Sequence, residues 1–157
     1  MIVGELIEKN SIRDFFQWAH REGVLLDAQD TGSRVICDPP VLDTDDDKLL
    51  LVKDLEHVGN WFSCNGWDNC FEDWKDKADK DPAEQVDTYT VELADGARFQ
   101  AWRRGTVNVI VTDDEVLHLR SRAATLLAKE LNLTDKKDRI RLFRAVKFAE
   151  NYGGRYQ

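Results

Sequence analysis

Asp30-Thr31-Gly32-Ser33 and, after a gap of eleven residues, Asp45-Asp46-Asp47-Lys48-Leu49-Leu50-Leu51-Val52 are the two stretches on which the reading of this chain turns. The first is a turn-rich loop whose glycine leaves no side chain between the backbone and a phosphate oxygen. Ser33 adds a hydroxyl donor and Arg34 a charge-assisted one. In the second stretch Asp45 and Asp47 stand two apart in an extended segment, so both project to one face while Asp46 projects to the other. Two carboxylates on one face are donors for a divalent cation. The apolar residues behind them, Leu49 to Val52, read as a strand at the centre of a sheet. Phosphoryl and nucleotidyl transfer need these features together: a close backbone approach to a triphosphate, and carboxylates that hold Mg2+ or Mn2+ on the reacting phosphorus.

Upstream of the loop, Leu6, Ile7, Phe15, Phe16, Trp18 and Ala19 recur at helical spacing, with Ser11 as a cap and Gly23 as the stop. Val24-Leu25-Leu26 reads as a short strand running into the loop, and Pro39 with Pro40 forbids a regular element ahead of Leu42. Downstream, Asp54 caps a helix to about Ser63. Residues 72–87 are highly charged, with Trp74 as their large apolar side chain, and read as an exposed loop or short surface helix. Residues 88–93 and 98–103 alternate as strands around an Asp95-Gly96 turn, and 107–112 is a strand rich in β-branched residues. Asp113 caps a helix over 114–131, and Thr134 caps a last one with Ile140, Phe143 and Val146 inward. This order predicts an α+β fold: one mixed sheet of about five strands with helices mainly on one face, in a single domain over 1–157.

At 157 residues and 42% apolar content the chain can bury one sizeable core. Residues 1–10 lack the charged-then-apolar layout of a secretory signal, and no apolar run nears the roughly 20 residues that span a bilayer. Cys37, Cys64 and Cys70 are too few and odd in number for a disulfide framework. A soluble, cytoplasmic protein with reduced thiols is expected. Cys64, Cys70 and His57 lack the spacing and the fourth ligand of a zinc site. The net charge of −8 is unevenly spread: residues 1–113 carry 12 Lys and Arg against 24 Asp and Glu, and residues 114–157 carry 10 against 6, or −12 and +4. That fits a cation-collecting acidic side beside a basic strip for phosphate, and equally two solvated faces.

The two opening stretches resemble the nucleotidyltransferase superfamily built like polymerase beta, whose signature is Gly-Ser, a gap of about nine to thirteen residues, then Asp-x-Asp or Asp-x-Glu leading into a hydrophobic strand. Residues 106–148, with Val107-Asn108-Val109-Ile110-Val111-Thr112 and Leu131-Asn132-Leu133-Thr134-Asp135-Lys136-Lys137-Asp138-Arg139, look like the tail of small phage-encoded nucleotidyltransferase-like proteins. The resemblance implies nucleotide phosphates on Gly32, Ser33 and Arg34, and Mg2+ or Mn2+ on Asp45 and Asp47 as catalytic carboxylates. It also implies a host cytoplasm as the compartment. Asp43 takes the place of Asp45 if the strand register is shifted. The family's third carboxylate lies on a later strand flanked by apolar residues. Glu92, between Val91 and Leu93, is the carboxylate that suits it; the strand that looks equivalent offers the neutral Asn108 instead.

Arg103, Arg104 and the last-helix residues Lys137, Arg141 and Arg144, joined by Lys147, could hold the phosphates of an acceptor or a nucleic-acid backbone, or could form a solvated helix face. Trp67 and Trp102 are candidates for stacking on a base, though tryptophan more often fills a core. Two functions from different classes follow. One is metal-dependent transfer of a nucleotidyl group from a nucleoside triphosphate to an acceptor such as RNA, a host protein or a small molecule. The other is a catalytically inactive phage-type protein that binds and inhibits a host partner through its acidic surface. What separates them is whether a third carboxylate, or Asn108 alone, stands beside Asp45 and Asp47.

Overall fold

The computed structural model describes residues 11–38, 45–70, 83–93 and 96–147. Helix α1 (Ile12–Glu22) starts where Ser11 accepts the backbone N–H of Asp14 and stops at Gly23, whose φ of 68° turns the chain in the left-handed region. Strand β1 (Leu25–Thr31) leads through Gly32 into the one-turn helix α2 (Ser33–Ile36). Then come β2 (Asp46–Val52) and α3 (Leu55–Cys64), the helix capped by Asp54 as expected. Strands β3 (Asp68–Asn69), β4 (Ala83–Gln85), β5 (Val91–Leu93), β6 (Arg98–Arg104) and β7 (Val107–Thr112) follow. Helices α4 (Glu115–Glu130) and α5 (Lys136–Lys147) close the order.

Both late caps fall one residue beyond the expected positions. Asp114 accepts the N–H of Leu117, and Asp135 that of Lys137. Asp113 is used otherwise, pairing with Arg98 at 3.1 Å. Of the segment read as an exposed loop, residues 72–82 lie outside the described residues, and Ala83–Gln85 pairs with β5 as β4.

The strands form one mixed sheet in the order β1-β2-β7-β6-β5-β4, with β3 on β6. Strands β2 and β7 run parallel and the other pairs antiparallel. The α+β class with a single mixed sheet is as expected, and is consistent with a nucleotidyltransferase-like fold. Two strands exceed the expected five, β3 and β4, of two and three residues each. Segments so short show no period in a sequence.

The helices are divided between the two faces, where the sequence reading had them mainly on one. Leu50 and Val52 of β2 and Val109 and Val111 of β7 pack with Phe15 and Ala19 of α1, Val58 and Phe62 of α3, and Trp102. Leu49 and Leu51 alternate to the opposite face, which α4 covers, and are also buried. A strand covered on both sides is a continuous apolar run, which is why Leu49 to Val52 shows no alternation. On the first face Gly59 admits the side chain of Gln100: a Cβ at Gly59 would stand 2.8 Å from Gln100 Nε2. Gln100 there accepts from Trp102 Nε1 and donates to Thr90 Oγ1, both at 3.0 Å.

Candidate functional site

Strand register builds the site. Thr31 stands opposite Asp47, Asp47 opposite Asn108, and Asn108 opposite Arg103. These four residues make a row across β1, β2, β7 and β6 on the α4 face of the sheet, at the end where Gly32 follows Thr31. Asn108 Nδ2 donates to Asp45 Oδ2 and to Asp47 Oδ1, each at 3.0 Å. The Arg103 guanidinium lies 3.6 Å from Asp45 Oδ1, and its Nε donates to the carbonyl of Gly105 at 3.1 Å.

Gly32 lies directly over Asp47. Its φ of 82° is in the range that favours glycine, and a Cβ there would stand 2.9 Å from Asp47 Cγ and closer still to Oδ2. Backbone conformation and contact therefore both require glycine. Beside it, Arg34 Nε is buried with no hydrogen-bond partner. A buried donor left open in a native fold asks for a ligand or water to complete it.

The acidic run is split by the pleat. Asp45 and Asp47 converge on Asn108, while Asp46 points to the other face, where Lys48 Nζ lies 3.5 Å from it and 2.7 Å from Asp30. Burial works against the charge on Lys48; the hydrogen bond to Asp30 and the field of Asp46 override it and hold its pKa above the ordinary lysine value. The charge that would otherwise crowd the carboxylate pair is thus compensated within the adjacent strands.

The loop carrying Gly32 and Ser33 is fixed from α4 and from the α4–α5 turn. Thr31 and Thr125 share a hydroxyl hydrogen bond of 2.7 Å. Asp38 N donates to Asn132 Oδ1 at 3.0 Å, and Asn132 Nδ2 returns to Asp38 O at 3.3 Å. Arg139 Nη1 reaches Cys37 Sγ at 3.6 Å and the carbonyls of Leu133 and Thr134 at 3.0 and 2.8 Å. Sequence reading missed Thr125, Asn132 and Arg139. Asn132 alone left a signal, an asparagine just past a helix at φ 47°, a usual site for a left-handed residue.

Of the residues singled out from sequence, Gly32, Ser33, Arg34, Asp45, Asp47 and Arg103 meet at this end of the sheet. Glu92 does not. It stands on β5 opposite Arg98, and Arg98 is at the other end of β6 from Arg103, roughly 17 Å along the strand. The position beside the pair belongs to Asn108. Arg104 alternates to the opposite face, where Nη1 donates to Asn65 O at 2.7 Å. Lys137 and Arg141 are exposed on α5, Arg141 lying 4.0 Å from Asp138. Asp43 and the side chains of Arg144 and Lys147 lie outside the described residues. Trp67 and Trp102 are buried against Phe62, with ring centroids at 5.0 and 5.6 Å, and so have no face for a base.

Among the described residues no three His, Cys, Asp or Glu side chains are grouped to hold a metal ion. The cluster is two carboxylates and an amide. As placed, the amide offers its N–H groups to the carboxylates; a half-turn of the amide presents Oδ1 and gives three oxygens. Two carboxylates and a carbonyl oxygen suit one divalent cation. A second cation would lack a charged ligand of its own.

Fold and site together give an α+β arrangement on a single mixed sheet whose carboxylate pair is completed by an amide. No protein-family model and no curated protein matches the chain. The crystal structure of conserved protein GrpB from Enterococcus faecalis is similar to it, with 17% identity over 93% of this chain and 94% of that chain and a TM-score of 0.36. A superposition that loose, at that identity, bears on neither activity nor ligand. No helix among the described residues is long and apolar enough to cross a membrane.

Proposed function

We propose that this chain is a nucleotidyltransferase-like protein that works by binding: it holds a nucleoside triphosphate with one Mg2+ or Mn2+ and does not transfer the nucleotidyl group. The observation that carries this reading is Asn108 in the place beside Asp45 and Asp47. Transfer by two cations needs one to activate the attacking hydroxyl and one to hold the leaving pyrophosphate. Two carboxylates supply charge for one such ion. Asp45 and Asp47 would hold it, Gly32 and Ser33 would face the phosphates, and the open Nε of Arg34 would donate to a phosphate oxygen. The −12 balance of the first 113 residues supports an acidic surface offered to a partner, a host protein if the chain is phage-encoded.

A second reading, transfer to an RNA, protein or small-molecule acceptor, is favoured by one observation: Gly32 is held against Asp47 as a reacting triphosphate would need. Arg103 would then supply positive charge near Asp45, and Lys137, Arg141 and Arg144 would meet an acceptor's phosphates.

Calorimetry with each nucleoside triphosphate and Mg2+ tests the binding, run beside an assay with α-labelled nucleotide. The wild type is expected to bind, and Asp45→Ala/Asp47→Ala to bind at least about tenfold more weakly, a loss of about 1.4 kcal/mol or more. Label transferred by the wild type and not by the double variant would replace the binding reading with the transferase one. Absence of nucleotide binding by the wild type would remove both.

A further inference from the structure

One feature of the described surface is used by neither the fold nor the site. Helix α4 turns mostly small or polar side chains inward, Leu117 apart, and carries several large apolar ones outward among charged residues. Leu117, His118, Ser121, Ala124, Thr125 and Ala128 are buried. Val116, Leu119 and Leu126 are 51%, 47% and 58% exposed. With Ala123, also exposed, they step by three, four and three residues, the spacing of an a/d seam in paired helices. The seam lies on the side of α4 directed away from the sheet, where a helix that only covers a sheet is polar.

We propose that this seam is an interface with a second copy of the chain, α4 packing antiparallel on α4 about a two-fold axis level with Arg122. Charge argues for self-association. Glu115 and Lys129 are exposed on one flank of the seam, seven residues before and seven after Arg122. In an antiparallel pair each Glu115 faces the Lys129 of the other copy, which makes one ion pair at each end of the contact. The same patch then serves both copies, as a two-fold interface requires. Ala123 leaves room for close approach at the crossing. Arg122 comes beside its own equivalent at the axis and is the repulsive element in the arrangement. A 16-residue helix is about 24 Å long. One helix pair of that length buries less than a standard interface, so the dimer is weak, with a dissociation constant on the order of micromolar or above.

Sedimentation velocity from about 1 to 500 μM reads the dissociation constant directly. The wild type is expected to shift from monomer to dimer over this range. Leu119→Glu/Leu126→Glu should remain monomeric at every concentration with an unchanged circular dichroism spectrum, since both side chains are on the outside. Glu115→Lys and Lys129→Glu should each weaken the dimer several-fold, the two together should restore it, and Arg122→Ala should tighten it. A wild type that stays monomeric throughout, or a dimer indifferent to Leu119→Glu/Leu126→Glu, overturns the proposal. A charge swap that fails to restore association overturns the antiparallel arrangement.

Discussion

The two faces of the sheet are held by different mixtures of apolar packing and hydrogen bonding. On the α1 and α3 face, Phe62 lies between Phe15 and Trp102, stacked at 4.6 and 5.6 Å, with Trp67 edge-on at 5.0 Å. The α4 face has a smaller apolar cluster, Leu117 with Val91, Leu93, Ala97 and Phe99, and beside it sets His118, Ser121 and Thr125 against the sheet, joined to β1 through Asp27 and Thr31. Apolar contact is non-directional and scales with area; a hydrogen bond holds only at one distance and angle. The first face therefore supplies most of the stability. The second fixes the register of α4 on β1, and so the position of Thr31, Gly32 and the carboxylates beside them.

If that division is right, the largest loss comes from the aromatic face. Phe62 is fully buried, and Phe62→Ala should cost about 3–5 kcal/mol in urea or guanidinium unfolding. A cost under about 1.5 kcal/mol would mean that the aromatic cluster is not the main support. The polar face should respond less, and in a different pattern. Thr125→Val removes one partner of a buried hydroxyl pair and strands Thr31, at about 1–3 kcal/mol. Adding Thr31→Val removes the stranded group as well, so the double variant should recover much of that loss. Simple additivity of the two would show that the hydroxyl pair is not a unit.

The sequence carried the aromatic face better than the polar one, for a physical reason. Phe15 and Ala19 were readable because apolar residues recur with the helical period, and Leu50 and Val52 because they fall in a continuous apolar run. Gly32, Ser33, Asp45 and Asp47 were readable because their spacing is local. The parallel pairing of β2 with β7 joins Asp47 to Asn108 across 61 residues, and only that pairing shows which residue completes the pair. Glu92 was attractive on local grounds, as a carboxylate between two apolar residues, but its strand lies beyond β6 and at the wrong end. Thr125, Asn132 and Arg139 hold the loop through contacts between residues about a hundred positions apart, and a single polar residue on a helix gives no sign of such a partner. The two-sided covering of the sheet was hidden in the same way: Leu49 to Val52 announces burial on both faces but not which helix supplies each cover.

The smallest effect in the comparison is one of pH, and it belongs to the polar face alone. Asp27 Oδ2 lies 2.7 Å from His118 Nε2, and Gln29 Nε2 donates to both carboxylate oxygens at 3.1 and 3.2 Å. The His118 hydrogen bond is the main cause that holds the Asp27 pKa below the ordinary aspartate value; Gln29 helps, and burial works against them. A carboxyl whose folded pKa is depressed stabilises the fold above its unfolded pKa, about 3.9, and loses that contribution as pH falls through the folded value. Asp27→Asn keeps an oxygen for His118 but has no charge to lose. The gap in urea midpoint between wild type and Asp27→Asn should therefore be widest above about pH 5, below about 1 kcal/mol because Asp27 is partly exposed, and should close as the pH falls below about 3. Carboxylates present in both proteins, including Asp87, whose pKa is also held low by the N–H groups of Tyr89 and Thr90 against the effect of burial, cancel in the difference. A gap that stays constant from pH 3 to 6, outside that cancellation, would show that the charge on Asp27 does not hold α4 to β1, and would leave the hydroxyl pair at Thr31 and Thr125 as the contact that sets the loop.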